Sequence, residues 1–116
     1  MALPIEHCIE GTDGGEIDSQ IFSSTNGFSR KRYKKESFAS PELPYELIAD
    51  GFSALEDRIE IVGFCTDICV VSTALNLRAT MPEASIEVDS KCCAGTTPEN
   101  HYYALRVLRS CQVDVV

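Results

Sequence analysis

Between Ile59 and Leu77 the chain passes from a β-branched run to a helical repeat across a single glycine. That change of period restricts the fold more than any other stretch of its 116 residues. Ile59, Ile61 and Val62, bounded by Gly63, suit a central strand covered on both faces. Thr66 and Asp67 are good N-cap residues, and Val70, Ala74 and Leu77 then recur at helical spacing beside Val71 and Leu75. This reading places Cys69 in the first turn of a helix, where unpaired backbone N–H groups and the macrodipole favour an anion. Helix N-termini and nearby cations stabilise a thiolate against its thiol. Spacing alone leaves open the commoner alternative, in which Cys69 is a small buried hydrophobe.

The remaining elements extend the same pattern. From about Pro41 to Ala54, Leu43, Leu47 and Ile48 share a helical face, with Pro41 in the first turn. The helix that opens at Asp67 runs to about Arg78, and Pro82 interrupts the chain. Ser85 to Asp89 then alternates as a strand. Thr96, Thr97 and Pro98 open the last helix, with Thr96 and Glu99 at capping-box spacing and Ala104, Leu105 and Leu108 on one face. Val113 to Val116 closes as a strand. Alternating strands and helices argue for βαβ units and a parallel sheet, whose ligands bind at the carboxyl ends of the strands. Residues 1–32 are loop-like. The basic run Arg30-Lys31-Arg32-Tyr33-Lys34-Lys35 reads as a solvated face, with Lys35 ending a short strand.

Composition limits the function classes. A net charge of −8 disfavours nonspecific binding to nucleic acid or to a membrane surface, so neither is expected as a partner. No apolar run reaches membrane-spanning length, and a cytoplasmic address is the simplest. The six cysteines fall partly inside strand and helix patterns, which fits reduced thiols better than a disulfide framework. There is no Cys-x-x-Cys pair, so zinc-ribbon and thioredoxin readings are weak.

The string Gly63-Phe64-Cys65-Thr66-Asp67-Ile68-Cys69-Val70 closely resembles the nucleophile segment of the isochorismatase-like cysteine hydrolases, which include the nicotinamidases. Four further segments resemble the family in the expected order. Leu3 to Thr12 is similar to its His-Cys segment with the following Gly-Thr. Lys35-Glu36-Ser37-Phe38 is similar to its catalytic lysine with an aromatic three residues on. Cys92 to His101 is similar to its small-residue loop and final helix start, and Cys111-Gln112-Val113 to its last strand. The resemblance implies an α/β fold of three layers, a Rossmann-like parallel sheet flanked by helices. Residues 1–116 would be one partial domain of this kind. The family's first strand, with its catalytic Asp, and its Asp-x-His metal motif have no counterpart here, so an N-terminally truncated domain is expected.

By the same resemblance Cys69 is the nucleophile and Lys35 its ammonium partner. The backbone N–H groups of Cys65 and Cys69 form the oxyanion hole, and Phe38 and Phe64 line the substrate pocket. A cis Phe64–Cys65 peptide would aim the Cys65 N–H inward. His7 matches a histidine that helps bind a divalent metal such as zinc in nicotinamidases. One imidazole without the Asp-x-His pair makes no site, so the retained residues require no cofactor. The implied activity is hydrolysis of a C–N amide bond of a small molecule through a Cys69 thioester, by a chain expected to form homo-oligomers.

Two other readings stand beside it. One is a catalytically incomplete fragment acting as an oligomerising or interaction module. The other is the family's branch that cleaves a vinyl ether, against which Cys69 and Lys35 argue. Asp67 is expected to serve as an N-cap rather than as the catalytic acid, and His101 to be a surface residue at a helix start. Of Cys92 and Cys93, one is expected to pack inward and the other outward.

Overall fold

The computed structural model describes Cys8 and residues 10–116. These fall into two compact units, Met1–Tyr33 and Lys34–Val116. His7 and most of the His-Cys segment lie outside the described residues.

The first unit holds a short 3-10 turn, Asp13–Gly15, and the helix α1, Ser19–Ser24. Asp18 caps α1 by accepting a hydrogen bond from the Gln20 N–H at 2.8 Å. The basic run is exposed but engaged. The Arg30 guanidinium stacks 4.0 Å from the centre of the Phe22 ring, and its Nη1 donates to the Phe22 carbonyl at 2.7 Å.

In the second unit the elements run α2 (Leu43–Ala49), β1 (Arg58–Phe64), a π-helical turn (Thr66–Val70), α3 (Val71–Thr80), β2 (Ser85–Ala94), α4 (Pro98–Ser110) and β3 (Asp114–Val115). The three strands form a parallel sheet in the order β1-β2-β3. This is the α/β architecture with helices packed on a parallel sheet that the alternation implied. The core gathers Val70, Ala74 and Leu77 from the turn and α3, Ile86 and Val88 from β2, and Leu105 and Leu108 from α4. Leu43 and Leu47 pack against it from α2.

Several local expectations change. β1 is at the edge of the sheet among the described residues rather than at its centre, and its residues alternate between exposed and half-buried. Its outward residues Val62 and Phe64 are 55% and 72% exposed. α2 is shorter than the Pro41–Ala54 reading, with Pro44 rather than Pro41 in its first turn. No strand reaches Lys35, which lies in irregular chain ahead of α2. β2 runs five residues beyond Asp89 by absorbing a bulge: Ile61 pairs with Val88, whereas Gly63 pairs with Cys93. Gly63 has φ 131°, a conformation that L side chains rarely adopt.

Arg78 joins three segments of the second unit. Its Nη1 donates to the carbonyls of Pro82 and Ala84 at 3.0 and 2.7 Å, and its Nη2 to that of Gln112 at 2.7 Å. The end of α3, the entry to β2 and the turn into β3 are thereby held to one side chain.

Candidate active site

Cys69 sits on the wide turn between β1 and α3. The Cys65 carbonyl accepts from both Ile68 N–H and Val70 N–H at 3.1 Å, and the bond to Val70 spans five residues. A π-turn inserted at the head of a helix is frequent at functional sites, because it turns a side chain out of the regular helical track. The turn begins directly after the Phe64–Cys65 peptide, which is cis. The cysteine is therefore on a π-turn ahead of α3 and not in the first turn of a regular α-helix.

The structure brings Lys35 to Cys69. Lys35 Nζ donates to the Cys69 sulfur at 3.7 Å and to the Ser37 carbonyl at 3.0 Å. What carries the lysine there is a bent loop of residues 35–40 pinned to α3. The Ser37 hydroxyl donates to the Ala39 carbonyl at 3.2 Å, and Asn76 Nδ2 donates to the carbonyl of buried Ser40 at 2.8 Å. Phe38 is half-buried on this segment, while Phe64, the last residue of β1, is largely exposed.

Four thiols lie close to this end of the sheet, and their surroundings differ. Burial, then the Asp67 charge and then Cys69 push the Cys65 thiol above its ordinary pKa. The Cys92 thiol is pushed up by its hydrogen bond to Asp89, then by the Asp89 charge. Burial raises Cys93 against the opposing effect of the Gly63 N–H, with Asp89 adding to the rise. Cys93 is half-buried against the core and Cys92 is exposed, the inward and outward arrangement that adjacent residues on an extended chain adopt. Among these four, Cys69 is the thiol with an ammonium group donating to it.

Asp67 does not cap the helix. Its carboxylate accepts from the Thr96 N–H at 2.8 Å and from the Thr96 hydroxyl at 2.5 Å. Burial acts to raise its pKa, but hydrogen bonds from Thr96, then from its own backbone N–H and Asn100, together outweigh this and leave it lowered. Thr96 is thus taken by Asp67, and Thr97 caps α4 instead, its side chain accepting from the Asn100 N–H. His101 is a half-buried residue rather than a surface one. Its Nδ1 is hydrogen-bonded to the hydroxyl of fully buried Thr66 at 2.7 Å. Sequence reading missed Asn76, Thr96 and His101 as parts of this neighbourhood. All three act across 29 to 36 residues of chain, beyond the reach of local spacing. A shallow cavity of about 340 Å³ lies between Asp67, Val71, Asn100, Tyr103, Ala104 and Val107, and neither Cys69 nor Lys35 lines it.

Among the described residues no group of three His, Cys, Asp or Glu side chains stands close enough to hold a metal ion. The donors that are described do not fit a zinc site. No helix of the described chain is long and apolar enough to cross a membrane.

Comparison with known proteins supplies the family. Residues 2–116 match the isochorismatase domain. A nicotinamidase of Schizosaccharomyces pombe is 26% identical over 117 residues, covering 95% of this chain and 52% of the relative. The crystal structure of a Bacillus subtilis nicotinamidase superposes with a TM-score of 0.77 at 24% identity, covering 97% of this chain and 63% of that one. A zinc-bound Pyrococcus horikoshii pyrazinamidase superposes with a TM-score of 0.70 at 22% identity, covering 96% and 61%. The chain spans about half the length of the curated relative it matches. With a match along nearly its whole length, and with the parallel sheet and turn described above, the chain belongs to the isochorismatase domain family.

Proposed function

We propose that this chain carries the nucleophile half of a cysteine amidohydrolase acting on a small-molecule amide. The observation that supports this reading most is the 3.7 Å approach of Lys35 Nζ to Cys69 Sγ. At that distance the lysine donates a hydrogen bond to the sulfur that this reading uses as its nucleophile. In the reaction the thiolate attacks the amide carbonyl carbon, and the carbonyl π pair moves onto oxygen. The backbone N–H groups of Cys65 and Cys69 receive that oxyanion. Collapse breaks the C–N bond and expels ammonia or an amine, which takes up a proton as it leaves. A Cys69 thioester remains, and attack by water returns the acid and the thiol. Lys35 holds its contact with the sulfur throughout. Phe38 and Phe64 flank the substrate. Solvent supplies the proton that the leaving amine takes up.

Brief treatment with iodoacetamide at neutral pH, followed by peptide mass spectrometry, tests the reading. Cys69 is expected to be alkylated before the other five thiols, and Lys35→Ala is expected to slow that alkylation. Equal labelling of all six cysteines removes the case for an activated thiol.

A second reading, an oligomerising module without turnover, draws on the edge position of β1 and the exposure of Val62 and Phe64. An amide-hydrolysis assay run beside light scattering separates the two. A monomer that hydrolyses an amide excludes the module, and an oligomer with no turnover excludes the enzyme.

A further inference from the structure

Cys69 is carried on a single π-turn, whose bonds to the Cys65 carbonyl fix its backbone but not how it sits against Lys35. Something outside it must do so. The turn is fastened to the start of α4 at two successive residues. At Thr66 the hydroxyl, wholly shielded from solvent, is hydrogen-bonded to His101 Nδ1 at 2.7 Å. At Asp67 the carboxylate takes both donors of Thr96, whose hydroxyl also accepts from Asn100 Nδ2 at 3.0 Å. Gly95 lets α4 come this near. A Cβ built there would lie 2.7 Å from His101 Cβ and 2.8 Å from His101 N, closer than real contacts allow.

We propose that His101 is a positioning residue for Cys69, acting through the Thr66 hydroxyl. It touches neither thiol nor substrate. It fixes the residue that opens the π-turn, three places before the sulfur, and so sets the distance between Cys69 and Lys35. The alternative for a buried threonine is to bond within its own turn, as Ser and Thr side chains commonly do in helices. Here the hydroxyl instead reaches a ring 35 residues away. A buried hydroxyl left without its partner carries a desolvation penalty, so loss of the ring favours a rearranged turn over the present one.

The inference rests on Cys69 being the nucleophile, but its test reads a ratio that is separate from that assignment. The rate of Cys69 carbamidomethylation at neutral pH is measured in the full chain and in variants, alongside the thermal midpoint. His101→Ala and Thr66→Val are each expected to slow Cys69 labelling about three- to tenfold as the ammonium loses its register with the sulfur. The double variant is expected to be no slower than the slower single one, because both changes cut the same link. His101→Asn, whose amide can replace Nδ1, and Thr66→Ser, which keeps the hydroxyl, are expected to label within about twofold of wild type. These conservative variants remain informative if a truncated one fails to fold, since slow labelling in both of them overturns the proposal.

A lowered thermal midpoint with an unchanged Cys69 rate in His101→Ala and Thr66→Val overturns it too, by showing a purely structural bond. So does a double variant whose slowing is the product of the two single effects. The nucleophile assignment fails on a different result, the ranking of the six thiols within the wild-type chain.

Discussion

Lys35 Nζ and Cys69 Sγ, 34 residues apart in sequence, meet at 3.7 Å although neither lies on a regular strand or α-helix. The lysine stands in irregular chain, and the cysteine on a turn of unusual pitch. Each is held by a neighbour that is regular. Asn76 on α3 fastens the lysine segment through Ser40, and α4 fastens the turn through Thr66 and Asp67. The regular elements set the geometry and the irregular ones carry the chemistry, the common division of labour in α/β proteins.

Asn76 is accordingly expected to matter to reactivity more than to folding. Asn76→Ala removes one hydrogen bond to a carbonyl, a loss of about 1 kcal/mol. It frees residues 35–40 from α3 and is expected to slow Cys69 alkylation severalfold while the thermal midpoint falls only slightly. A large fall in stability with no change in alkylation contradicts this.

The thiols raised by their surroundings should lag. At pH 8, Cys65, Cys92 and Cys93 are expected to react with iodoacetamide more slowly than Cys69, because burial or a neighbouring carboxylate holds each of them protonated. Asp89→Asn removes the charge that acts on Cys92 and leaves an oxygen to cap Lys91. That variant is expected to label Cys92 faster and Cys69 at its former rate, as peptide mapping would show.

Asp67 gives the acid side of the stability curve. Its pKa is lowered in the folded chain, so the unfolded chain binds the proton more tightly. The contribution of the Asp67–Thr96 link is therefore complete well above the ordinary value of 3.8 and is lost as pH falls through and below it. Thermal melts from pH 6 to pH 3 are expected to show a steeper loss of stability in wild type than in Asp67→Asn. Parallel curves would remove Asp67 as a source of acid sensitivity.

Arg78 ties three carbonyls of the sheet unit to one side chain. Arg78→Met leaves the carbonyls of Pro82, Ala84 and Gln112 without this donor. A cost of about 3 kcal/mol is expected, with a fall in Tm of more than about 10 °C. Chemical denaturation measures it, and a change below 1 kcal/mol would contradict it.

The legible parts of the fold were those with a sustained period. Ile59 to Phe64, Val70 to Leu77 and Ala104 to Leu108 announced β1, α3 and α4, because side chains repeating at two or 3.6 residues can be read without knowing what they touch. The π-turn was hidden because one extra residue in five leaves no trace in such a repeat. The extension of β2 was hidden by its bulge, where Asp89 to Cys92 break the alternation. The edge position of β1 could not be read from its own composition, since strand order is set by the connections around it. At the site, Cys69 and Lys35 came from resemblance, whereas Thr66 and Asp67 were read as caps. Cap residues and long-range ligands of a loop have the same chemistry, and only the fold says which donor arrives. Thr96 and His101 are those arrivals.

Gly95 shows how little separates these outcomes. The strand leaving the sheet and the helix returning to it pass so closely there that a single methyl group has nowhere to go. A chain of this fold with a bulkier residue at that place must route its final helix farther from the sulfur, which makes position 95 a marker for telling relatives that keep this wiring from those that have abandoned it.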